Sequence, residues 1–158
     1  MLRWSLYVVT LGFAVYWASN LLLWFPWSFS AVLGMTLMLT VAPILWAYVT
    51  FLCLRSYPGR NPLGGSWRVA AILALLAVIM DYVFFGLIRN AMEQLYHPTT
   101  LYAYGFLISL PFLVGLLFKN RIRRNKRAPT NSDFATAGVS GMICFGVLTL
   151  IIVLGIGI

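Results

Sequence analysis

Charged residues are scarce in this chain, at 9% of 158 residues against 62% hydrophobic, with a mean hydropathy of +0.93. An ordinary soluble domain is about 25% charged, so that class is excluded. Histidine occurs once, at His97, which rules out bis-histidine haem ligation and a His-Glu-x-x-His zinc site. The two cysteines, Cys53 and Cys144, lie isolated inside apolar runs. Without a Cys-x-x-Cys pair there is no basis for a disulfide framework, a thioredoxin-like centre or a zinc site. A Gly-x-Ser-x-Gly nucleophile elbow is missing. The glycine-rich stretch 59–65 lacks the Gly-Lys-Ser/Thr ending of a phosphate-binding loop. The sequence therefore asks for no metal and no cofactor. It also lacks internal repeats, and its apolar runs are odd in number, which argues against a duplicated transporter half.

What the chain has in quantity is long apolar runs, at about 6–25, 29–54, 69–88, 101–118 and 137–158. Each is near the roughly 20 residues that cross the hydrocarbon core as a helix. Lipid offers no partner for backbone groups, and these runs are too continuous for barrel strands, so helices are expected. The expected fold is all-α: a polytopic membrane protein forming one bundle of five transmembrane helices over residues 1–158. The first run is read as a retained span and not a signal peptide. It exceeds a typical h-region, carries Trp17 and Trp24, and is followed by no small-x-small cleavage site.

Prolines and small polar residues punctuate the runs. Pro26-Trp27-Ser28 reads as a short outer turn, Arg55–Arg68 as an inner loop with Ser66 capping the third span, and Pro98-Thr99-Thr100 as the start of the fourth. Pro43 and Pro111 fall inside spans and should bend them. Pro129 to Asp133 supplies capping residues before the fifth. Trp4, Trp24, Trp27, Trp67, Tyr96 and Tyr102 fall near boundaries, as an interfacial aromatic belt requires.

Threading these spans puts ten of the eleven Lys and Arg residues on one side, leaving only Arg89 on the other. The positive-inside rule then predicts a cytoplasmic N-terminus and an external C-terminus. The net charge of +8 is carried in short connections and not along a soluble face, so nucleic acid is not an expected partner. Lys119, Arg121, Arg123, Arg124, Lys126 and Arg127 form the densest basic run. They are read as a topology anchor and as ligands for anionic lipid headgroups at the cytoplasmic face. With no eukaryotic sorting signal or N-glycosylation sequon, the expected location is a bacterial cytoplasmic (inner) membrane.

Among the few polar residues inside spans, Asp81 stands out, seven residues before the outer end of the third. At about 1.5 Å per residue it lies on the order of 10 Å below that boundary. A lipid-facing charge costs roughly 2.5–3.5 kcal/mol at a helix centre, so Asp81 should face the bundle interior with donors around it. Counting inward from the outer ends places Asn20, Ser19 and Tyr104 at similar depth, with Tyr16 and Ser109 deeper. Asp81, Asn20 and Tyr104 are thus candidates for a substrate or proton site, or for a layer that locks packing. The outer loop 89–98 adds Glu93 and His97, weak candidates for a catalytic acid–base pair, with Arg89 and Glu93 pairing at i, i+4 if the helix continues. The fifth span carries Ala137-x-x-x-Gly141, a spacing that permits close helix contact within the chain or with another protomer.

Three functions fit. The first is a non-catalytic subunit or modulator of a membrane assembly, since transport and catalysis need more convergent polar groups. The second is a small oligomeric transporter or proton-coupled channel centred on Asp81. The third is a membrane enzyme acting on a lipid-type substrate at the outer face.

Overall fold

The computed structural model describes residues 1–155 (Gln94 by its backbone); the expected end of the fifth span, at 156–158, lies outside the described residues. The described residues are helical with short connections and no strand. Five helices are long and apolar enough to cross a membrane. They are α1 (Leu2–Phe29), α2 (Ala31–Arg55), α3 (Pro62–Asp81, continued by a π-helical stretch Tyr82–Ile88), α4 (Pro98–Leu117) and α6 (Asn131–Val153). A short helix, α5 (Lys119–Arg124), lies between α4 and α6, and a 3-10 turn (Met92–Tyr96) precedes α4.

α1 is the hub. Its buried residues Trp4, Tyr7, Val8, Leu11, Gly12, Val15 and Tyr16 recur at three- and four-residue spacing, forming one helical stripe. The helix packs against α2, α3 and α6, while α4 lies across α3 and α2. Gly12 lets α3 approach; a Cβ there would come within 2.8 Å of Leu73 and 2.6 Å of Leu76. α6 rests on α1 through Ala137, Gly141 and Leu148, with Tyr7 edge-on to Phe134 and Trp17 edge-on to Phe145. Outward faces are apolar: Leu39, Ile44, Leu75, Leu116, Ile143 and Val153 are all exposed. Water would not tolerate so continuous an apolar exterior, whereas hydrocarbon does.

Several helix ends differ from the sequence reading. Pro26-Trp27-Ser28 is not a turn, because α1 runs through it to Phe29 and the chain reverses at Ser30 alone. Ser30 is extended and its Oγ accepts from Leu33 N, while Gly34 packs directly on Trp27. Proline in a last helical turn removes one hydrogen bond without ending the helix. α3 likewise starts before Ser66, at Pro62, with Asn61 as N-cap accepting from Leu63 N. Ser66 instead donates to Pro111 O at 3.0 Å, fastening α3 to α4 at its internal proline. At α6, Thr130 and Asp133 form a reciprocal capping box.

Hydrogen bonds gather the basic segments at one end of the bundle. Arg3 donates to Asn131, Arg68 to the Met1 sulfur, and Lys126 to Gly59 O. Arg89 lies at the other end, its guanidinium 3.7 Å from the Trp24 ring centre.

Candidate functional site: a carboxylate held between two tyrosines

Asp81 is the last α-helical residue of α3, immediately before the chain widens into π-helical turns. The wider winding ends with Arg89 N bonded to Phe84 O at 2.9 Å, five residues back. Such turns re-aim side chains and recur at functional sites. Here Phe84 points fully inward, against Trp17, Trp24 and Phe85, while Tyr82 points out.

Two phenols converge on the Asp81 carboxylate. Tyr16 of α1 donates to Oδ1 at 2.6 Å and Tyr104 of α4 donates to Oδ2 at 2.6 Å. Both are at the short end of O–H···O distances, as expected for a charged acceptor. The group therefore ties three helices together through one half-buried side chain. Asn20 borders it at one remove: its amide donates to the backbone carbonyl of Tyr16 at 3.0 Å, and its side chain also meets that of Tyr16, the phenol that holds Oδ1. Ser109 is turned to Phe106 O on its own helix, and the buried Ser19 Oγ makes no hydrogen bond among the described residues. Counting inward along the helices placed Tyr16 only as a deeper neighbour of Asp81, yet its phenol reaches the carboxylate.

The outer-loop residues adopt local roles. His97 is the N-cap of α4, with Nδ1 2.9 Å from Thr99 Oγ1. Glu93 is exposed on the 3-10 turn. The helical register that would stack Arg89 on Glu93 stops at Ile88, and Asn90 takes a left-handed φ of 49°. Among the described residues the ion pair lies elsewhere, between Arg127 and Asp133 at 2.7 Å. No group of three His, Cys, Asp or Glu among those residues is placed to hold a metal ion.

At the basic end the run 119–127 divides in two. All six of its cations are exposed; Arg127 is engaged with Asp133, and Arg124 borders a recess with Asn120 and Arg123. Lys119, Arg123 and Lys126 instead line a cavity of about 540 Å³, joined by Arg60 from the α2–α3 connection. No sequence motif announces this cavity, because its cations come from two loops far apart in the chain.

Comparison with protein-family models, with curated proteins and with solved structures finds no match to this chain.

Proposed function

We propose that this chain is a multi-pass protein of a bacterial cytoplasmic membrane, with its N-terminus inside, that serves a larger membrane assembly as a non-catalytic helical subunit or modulator. The observation that carries the reading is the double occupation of Asp81. Both carboxylate oxygens are taken by phenols from other helices, so the most costly polar group in the spans is spent on internal architecture. Asn20 and His97 are likewise committed to nearby backbone or hydroxyl groups. α6 supports the same reading, because it leans on α1 and leaves Met142, Ile143, Val147, Leu150 and Val153 facing outward. A partner helix covers such a face through van der Waals packing. Affinity purification of the tagged chain in a mild detergent, with cross-linking through α6, should recover a membrane protein in fixed ratio. A strictly monomeric particle free of partners refutes the reading.

The π-helical turn beginning next to Asp81 favours a second reading, a proton-coupled transporter or channel centred on that residue. Asp81→Asn separates the two. Loss of a measured flux at unchanged membrane abundance supports transport, whereas reduced abundance or stability supports the architectural role.

A further inference from the structure

Four cations surround the cavity at the basic end, and no acidic side chain lines it. Lys119 and Arg123 lie one turn apart on α5, held in place because Ile122 between them is buried in the bundle. Arg60 faces them from the α2–α3 connection. Lys126 ties the two walls together through its hydrogen bond to Gly59 O at 2.8 Å, which uses one of its three donors. Leu54, Tyr57, Pro62 and Gly115 complete the lining. Tyr57 is itself fixed, edge-on to Trp4 at 4.9 Å, and Gly59 is packed so closely that a Cβ would stand 2.5 Å from its ring.

The chain's three acids do not neutralise this cluster. Asp81 is held by Tyr16 and Tyr104, Glu93 is in the loop at the opposite end, and Asp133 is engaged with Arg127 and Thr130. Like charges gathered around one space repel, and an anion in that space reverses the sign of the interaction. Two guanidiniums offer planar paired donors suited to phosphate oxygens, and two ammoniums supply compact charge. The volume is that of a small-molecule site, larger than a bare ion needs. The cavity also lies where spanning helices end, with apolar Leu54, Ile122 and Pro62 in its lining, which matches a headgroup joined to hydrocarbon.

We propose that this cavity binds a phosphate ester, with Arg60, Lys119, Arg123 and Lys126 as its ligands and the headgroup of an anionic phospholipid as its occupant. Arg121, Arg124 and Arg127 do not line this cavity, although Arg124 borders a neighbouring recess with Asn120 and Arg123.

The test uses the full chain purified in a non-ionic detergent and titrated with short-chain phosphatidylglycerol, short-chain phosphatidylcholine or inorganic phosphate, followed by thermal shift. Saturable stabilisation by phosphatidylglycerol and none by phosphatidylcholine is expected. Arg60→Gln with Arg123→Gln should weaken binding roughly tenfold or more, while Arg121→Gln with Arg124→Gln, removing the same charge, should stay within about twofold. Should the first double variant fail to fold, the single Arg60→Gln and Arg123→Gln variants give the same comparison. Inorganic phosphate binding as tightly as the lipid, with the same variant sensitivity, keeps the phosphate site but assigns it a soluble ligand. Equal weakening by both double variants, or no saturable binding of any probe, overturns the proposal.

Discussion

Tyr16 and Tyr104 approach one another across Asp81, each hydroxyl 2.6 Å from a different oxygen of the same carboxylate. Their helices, α1 and α4, each pack against α3, which carries the shared carboxylate. The carboxylate is therefore a linchpin whose removal should loosen α4 from the hub.

Stability should follow that geometry. Tyr16→Phe and Tyr104→Phe should each cost about 0.6 kcal/mol, the average for interhelical hydrogen bonds in membranes, and at most about 1.7 kcal/mol. Asp81→Ala should cost more than either, and Asp81→Asn less than Asp81→Ala, since an amide keeps an acceptor and a tyrosine hydroxyl also accepts. Denaturant unfolding in micelles reads these values. Wild-type stability in both phenylalanine variants would mean that the clamp does not hold the helices.

At the opposite end from the basic cluster, Arg89 lies over Trp24, which also packs beside Phe84. Trp24→Leu should destabilise the bundle by about 0.5–2 kcal/mol through the lost cation–π contact. A double-mutant cycle with Arg89→Gln isolates the pair; zero coupling would contradict the stacking.

The α1–α6 seam makes a contrast between two glycines of one helix. A Cβ at Gly141 would lie 2.6 Å from the Phe13 ring and 3.0 Å from the Ala14 backbone, whereas Gly146 has nothing within 4 Å. Gly141→Ala should cost about 1–3 kcal/mol by overpacking, and Gly146→Ala should stay within roughly 0.5 kcal/mol. Limited proteolysis at 125–130 should rise in the first variant alone.

Topology is open to direct labelling. Single cysteines placed at Arg121 or Arg124, in a chain lacking Cys53 and Cys144, should resist an impermeant maleimide added to intact cells. Cysteines at Asn90 or Glu93 should react. The reverse pattern would invert the orientation proposed from the positive-inside rule.

The bundle was legible because lipid imposes a simple grammar, in which long apolar runs are helices and charges mark their ends. Depth counting made a meeting of Asp81 with Tyr104 possible, and the two side chains are hydrogen-bonded. Asn20 satisfied the same depth criterion but reaches the cluster only through Tyr16, since depth does not specify which way a side chain points around a helix. Pro26 misled because a proline near a helix end resembles a turn in sequence while costing the helix little. The π stretch after Asp81 and the cavity beneath α5 were illegible for a different reason. Both depend on how neighbouring segments close on them, and apolar periodicity carries no record of that.

The parallel seam between α1 and α6 bears on biogenesis. α1 leaves the ribosome first, and the helix that covers Phe13 and Trp17 follows on the order of ten seconds later at ordinary translation rates. In the membrane setting proposed above, the groove along α1 is open during that interval to lipid tails or insertion machinery. In that setting, completion of the bundle is an exchange reaction, in which α6 displaces whatever occupies the groove.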